Sequence, residues 1–417
     1  MVFAPLIFFS LLALFQYRRN GRTIDLAMVI LIIYGISAFF TIFMQQYSLW
    51  SVSYTPTIEA TFIFFLLFII CFFPIAKYSN SFMLDTVPVP NAKKIKILAW
   101  VSLGWFAVMI GLSYNTIIMV LNGDMMELRN IIYHGDSLGA GKLPAPLTPI
   151  YTLANLCFGC PWIFVFLAFF SLFIQRLPYK YFIIFMIVSL SGPIQGILWV
   201  DRSRTAYWII SLVASFMFFK NYMSQKEKKW SLSLIASLIL AGALYLSMVT
   251  ESRFGDKVGS GGLSGSLTGI IEYLGQPFLN FCYYYDEFEP PFTTLSILFP
   301  CFYKFILGSD LIGGTVLQAE FDSLTSFNTG VFYTYLGQIM TFAGKITCFV
   351  FCIVYSFIQS KTYNSMRRSA TTISSLFNYY ALSSIIVFGL FGHYYSAYTI
   401  TFSVGFFFFL MKFWLSK

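Results

Sequence analysis

Apolar runs recur along this 417-residue chain at lengths that suit a bilayer rather than a water-soluble core. They fall at about 2–16, 24–44, 57–75, 97–121, 150–174, 181–199, 205–219, 231–250, 340–359, 372–391 and 395–414. Crossing about 30 Å of hydrocarbon takes roughly 20 helical residues. In lipid, backbone N–H and C=O groups must find partners inside the segment, so the runs are predicted helices. The alternating segments of a membrane barrel, roughly ten residues each, do not occur. The composition agrees, at 58% hydrophobic and only 10% charged. The expected fold is an all-α polytopic membrane protein with about 11 transmembrane helices. Residues 1–250 are expected to form an N-terminal bundle of about eight helices with an outer loop at 122–149. A large outer loop covers 251–338, and about three further helices cover 339–417. The first run reads as an uncleaved anchor or the stub of a longer helix, because no basic region precedes it and no small-residue cleavage site follows.

A net charge of +9 would ordinarily invite a nucleic-acid reading. The basic residues instead sit in short tracts between the apolar runs. One set of alternate connections holds Arg18, Arg19, Arg22, Lys77, Lys93, Lys94, Lys96, Arg176, Lys180, Lys220, Lys226, Lys228, Lys229, Lys361, Arg367, Arg368, Lys412 and Lys417, which is 18 of the 26. The positive-inside rule makes these cytoplasmic, with the N-terminus outside and the C-terminus inside. Only Asp25, Asp85 and Glu227 of the 17 acids share that side. Eight basic residues fall on the outer side against the trend: Arg129, Lys142, Arg202, Arg204, Arg253, Lys257, Lys304 and Lys345. Both histidines, His134 and His393, fall there too.

Within 251–338 the stretch Gly255–Gly269 is rich in glycine and serine and reads as flexible. Residues 270–289 carry aromatics and acids. The run 292–307 is apolar but contains Pro300 and Lys304, and reads as a re-entrant or interfacial segment. Cys157 and Cys160 have CxxC spacing inside an apolar run, where buried small hydrophobes are the better reading. Cys282 and Cys301 pair only if their loop faces an oxidising compartment. Asp286-Glu287-Phe288-Glu289, followed by two prolines, reads as a solvated loop rather than a cation site. No metal and no cofactor is expected.

The residues that carry chemistry are the outer cations. Asp201-Arg202-Ser203-Arg204 is a charged turn between two apolar runs. Arginines at a membrane boundary are unfavourable unless an anion or a watery cavity receives them. The guanidinium fork suits phosphate oxygens, while snorkelling to headgroups is the competing reading. Arg129 lies in an amphipathic stretch, 125–134, and Arg253 follows another span. His393 sits in the short connection between the last two runs and suits a general base near neutral pH. Glu251, Glu272 and Asp201 compete for that role. A transporter would place acids or histidines mid-helix and show repeat symmetry, and neither occurs.

In layout the chain resembles the Wzy-type polymerases of O-antigen and oligosaccharide repeat units, proteins of bacterial inner membranes. The matching features are the arginine-bearing turn within Leu198–Ala206, Arg129 in the preceding outer loop, and Arg253 opening the large loop. The segment Asn328–Gly337, followed by Phe342-Ala343-Gly344, is similar to the family's entry into the next helix. The resemblance implies a fold like that of GT-C-type lipid-linked glycosyl polymerases and ligases. It also implies a metal-independent, inverting glycosyltransferase at the periplasmic face, working in lipopolysaccharide or capsule biosynthesis. Donor and acceptor would be undecaprenyl-pyrophosphate-linked glycans, with Arg129, Arg202, Arg204 and Arg253 on the pyrophosphate. Membrane lipids and a chain-length regulator are the implied partners. An O-antigen ligase and a flippase or exporter of lipid-linked oligosaccharide are the alternatives.

Overall fold

The structure is a computed structural model that describes residues 1–49, 54–78, 91–122, 148–198, 202–254, 265–287, 333–368, 372–392, 394 and 398–415. Among these residues every regular element is a helix. In chain order they are α1 (Ala4–Arg19), α2 (Leu26–Gln46), α3 (Ile58–Tyr78), α4 (Ala92–Asn122), α5 (Thr148–Phe158), α6 (Pro161–Phe169), α7 (Tyr179–Ser189) and α8 (Ser191–Leu198). There follow α9 (Arg202–Phe219), α10 (Gln225–Phe254), α11 (Gly265–Glu287), α12 (Tyr335–Ala343), α13 (Lys345–Arg368), α14 (Ile373–Val387) and α15 (Tyr398–Phe409). Phe170–Ile174 and Leu410–Leu415 extend α6 and α15 as π-helical turns.

Six segments are long and apolar enough to cross a membrane, in α2, α3, α4, α7–α8, α10 and α13. The pair α5–α6, bent by 55°, makes a seventh if counted as one span. The other expected runs, at α1, α9, α14 and α15, are helical too, and shorter or more polar than a full crossing requires. Large apolar side chains stay on the outside, among them Leu11, Phe15, Ile346 and Phe357. That surface suits hydrocarbon and makes this a multi-pass helical membrane protein. At the centre stands α6, with every residue from Trp162 to Phe170 buried. A helix apolar on all sides belongs in the middle of a bundle, and α6 packs between α7 and α9.

The basic tracts gather at one end of the bundle. Arg19 donates to the carbonyl of Ala76 near the end of α3, and Lys220 to the carbonyl of Ile24 just before α2. Lys94 Nζ reaches the carbonyl of Trp414 at 2.6 Å, and Arg176 bonds both Glu227, at 2.6 Å, and the carbonyl of Tyr222. Several of these acceptors are last-turn carbonyls, which a helix leaves without internal partners. The cations therefore cap helix ends as well as mark a side. Burial pushes the Lys220 ammonium below its ordinary value, and the neighbouring Asp25 carboxylate partly offsets this. Asp25 itself is fully buried and caps α2 by accepting from Met28 N–H at 2.8 Å. It also accepts from Gln16 at 3.1 Å and from Asn20.

The stretch expected as an outer loop holds a 23-residue helix, α11, which lies along α2. Pro277 interrupts its hydrogen-bond ladder, and hydroxyls of α2 supply nearby partners. Ser37 donates to the carbonyl of Leu274 at 2.6 Å, and Thr41 to that of Gly275 at 2.9 Å. The seam is tight: a Cβ on Gly275 would stand 2.9 Å from the carbonyl oxygen of Phe40. Gly275→Val is therefore expected to destabilise the protein by about 2 kcal/mol through overpacking. Thermal unfolding of purified protein in detergent checks this, and wild-type unfolding would mean the seam opens freely.

The far end of α11 is pinned by polar contacts. Asp286 accepts from Tyr54 and from Thr57, the latter at 3.0 Å, so this carboxylate is engaged within the fold rather than solvated. Burial and the Asp286 bond both push the Tyr54 phenol up. Tyr285 donates to Glu59 at 2.8 Å beneath the Lys345 ammonium, 4.3 Å from its ring centre. The proposed re-entrant segment at 292–307 and the outer loop around 122–149 lie outside the described residues, apart from their edges.

Candidate functional site

Three interruptions of helix meet in one place. The first separates α5 from α6. Pro161 opens α6, and a proline disfavours helical backbone in the residue before it, so Cys160 is extended at φ −105° and ψ 98°. The second lies between α7 and α9, where the short α8 carries Pro193 in its first turn. The third follows α14, where Phe388–Gly392 leaves the helical path before Tyr394. Non-helical backbone at membrane depth is stable only against protein or a cavity. Here part of it is taken up by α12, whose Tyr335 N–H donates to the carbonyl of Gly389 at 2.7 Å.

Between these interruptions is a cavity of about 280 Å³. Arg204 and Ser203 enter it from the first turn of α9, Gln195 from α8, Gln338 from α12, and Thr399 from α15. Arg204 carries the formal charge of the described lining. Its guanidinium donates to Gln195 Oε1, and the Gln195 amide points its nitrogen at Met109 Sδ, 3.9 Å away. The Gln195 amide holds one edge of the guanidinium in place. The N-terminus of α9 adds the positive end of a helix dipole beside that charge. Together they favour an anion.

Five aromatic rings, Trp162, Tyr207, Trp208, Phe391 and Tyr394, make up much of the rest of the wall. Tyr207 meets Tyr394 edge-on at 4.7 Å and Phe388 at 5.8 Å. Trp208 donates from Nε1 to Ser189 at 3.0 Å, and Trp162 stacks on Phe377 at 5.7 Å. These rings are held by packing, so the cavity sets polar groups within an aromatic frame, an arrangement that suits a ligand with both polar edges and ring faces. Arg204 stands sixteen positions before Lys220 in one helical path, about 24 Å at 1.5 Å per residue. The cavity thus lies toward the end of the bundle away from the basic tracts.

Of the four arginines expected on an anion, Arg204 is the one whose side chain is described, and it lines the cavity. Arg202 opens the same helix, and Arg253 and Glu251 lie in the last turn of α10, with side chains outside the described set. Arg129, Asp201 and His393 lie outside the described residues. His393 is nonetheless flanked in the chain by Gly392 and Tyr394, both of which line the cavity. Glu272 is half-buried on α11 and is not part of this wall. Cys157, Cys160 and Cys282 are buried free thiols, and Cys301 is not described. Among the described residues no group of three or more His, Cys, Asp or Glu could hold a metal ion. Gln195 and Gln338 are site residues that a search for charges passes over. The signal for Gln195 is an amide within an apolar run, which carries the same default suspicion as an intramembrane charge, whereas Gln338 falls at the end of the stretch read as outer loop.

No family model, curated protein or solved structure matches the chain.

Proposed function

We propose that this protein polymerises undecaprenyl-pyrophosphate-linked oligosaccharide repeat units by inverting glycosyl transfer. The observation that carries the proposal is Arg204, held by a neutral amide at a helix N-terminus inside an aromatic cavity. Such a group suits a diphosphate whose charge grows as its bond to the sugar breaks. Aromatic walls and amides suit the sugar end of the same molecule. In the proposed reaction a hydroxyl of the incoming unit attacks the anomeric carbon of the growing chain. The C–O bond to the carrier breaks, undecaprenyl pyrophosphate leaves with the electron pair, and a base takes the hydroxyl proton. Arg202, Arg129 and Arg253 are the proposed companions of Arg204 on the diphosphate. His393 leads the candidate bases because its chain neighbours line the cavity, ahead of Asp201, Glu251 and Glu272.

The proposed setting is a bacterial inner membrane. The positive-inside rule puts the basic end in the cytoplasm and the cavity toward the periplasm, with the N-terminus periplasmic and the C-terminus cytoplasmic. The full complement of about 11 spans and the GT-C-like arrangement belong to the same proposal, as does a chain-length regulator as partner. Glycan profiling of a deletion strain tests it. A single repeat unit on the lipid core, in place of a ladder, is the expected result. Loss of even that unit would point to a ligase or a flippase, and an unchanged ladder would overturn the proposal.

A further inference from the structure

Helix α12 is too short to cross a membrane and is buried along its length with one exception. Tyr335, Leu336, Gly337, Ile339, Met340, Thr341, Phe342 and Ala343 are all buried, and Gln338 alone among its nine residues is not. Its amide borders the cavity. The wall opposite is cut to fit it. Gly392 has φ +143°, a conformation side chains rarely adopt, and a Cβ there would stand 2.9 Å from Gln338 Oε1. The helix itself is anchored by Thr334, which caps it by accepting from Gly337 N–H at 3.2 Å, and by the Tyr335–Gly389 bond. A side-chain amide carries two donors and an acceptor, and the anchored helix brings that of Gln338 to the same wall as Tyr207 and Tyr394. That suits the hydroxyls of a sugar ring and adds nothing to charge. A cavity of about 280 Å³ has room for a sugar ring beside a phosphate.

We infer that Gln338 is the sugar-reading group of this site, recognising hydroxyls of the ring attached to the phosphate that Arg204 holds. This rests on the proposed reading of the cavity as a glycan-diphosphate site. Two probes separate the roles: undecaprenyl pyrophosphate itself, and the lipid-linked oligosaccharide extracted from the host strain deleted for this gene. Binding of each to the full-length protein in nanodiscs is measured for the wild type, Gln338→Met and Gln338→Glu. Methionine keeps the volume and removes the amide. The wild type is expected to bind the glycan-bearing lipid more tightly than the bare carrier. Gln338→Met should lose roughly tenfold for the former, the size of one or two hydrogen bonds, and bind the latter unchanged. Gln338→Glu keeps an acceptor but places a carboxylate beside the phosphate, and should weaken both probes. Equal loss of both probes in Gln338→Met, or no loss of either, overturns the inference while leaving the diphosphate reading in place. Failure of the wild type to bind either probe removes that reading and the inference with it.

Discussion

Arg204→Ala is expected to leave the protein in the membrane and to reduce chain extension by a hundredfold or more. One prepositioned donor to a developing anion is worth about 3 kcal/mol, or roughly two powers of ten in rate. The measurement is the glycan ladder of a deletion strain carrying the variant, with membrane abundance as control. Arg204→Lys should recover part of the ladder, because lysine keeps the charge but cannot present a planar fork to two oxygens while bonding Gln195. A normal ladder from Arg204→Ala would remove the cavity from the reaction.

The largest effect on folding is expected from Asp25→Ala. The carboxylate accepts from the Met28 N–H, the Gln16 amide and the Asn20 amide, and all three residues are buried. Loss of the cap costs about 1 kcal/mol. Leaving buried amide donors without their acceptor adds about 1 to 3 kcal/mol more. A total near 3 kcal/mol is expected, read as a lower unfolding temperature in detergent and reduced membrane abundance. Asp25→Asn keeps one acceptor oxygen and should fall between the two. An Asp25→Ala protein as stable as wild type would show that water replaces the carboxylate at this corner.

The eleven apolar runs were legible because burial in lipid demands long unbroken hydrophobicity, and each run holds at least one helix. α11 was not, for a physical reason. Leu267, Ile270, Ile271, Leu274, Phe278, Phe281 and Tyr285 recur at helical spacing, but the intervening glycines, polar residues and acids dilute the stretch below the hydropathy of a span. Such a helix is amphipathic because one face meets α2 and α3 while another carries Glu272 and Asn280. The bend at Gly159–Cys160 was written in Pro161, yet a proline within an apolar run also fits a kinked span. Only the packing of Trp162 and its neighbours distinguishes the two. In the site, Arg204 was legible from charge on the wrong side of the bundle. Gln195 and Gln338 were not, because an amide stands out only once the groups around it are known to be apolar and close.

The interruptions that line the cavity also set an order of assembly. Arg204 and Gln195 come from the middle of the chain, whereas Gln338, Gly392, Tyr394 and Thr399 are synthesised much later. At the opposite end, Lys94 waits for the carbonyl of Trp414. A ribosome delivering the chain in order thus inserts α4 through α9 around a gap that no early segment fills. The wall facing Arg204 is incomplete until α12 and the segments that follow α14 dock. The cavity is therefore complete only once the last helices are in place, and a reporter fused after α10 would observe a bundle without the Gln338 and Tyr394 side of the wall.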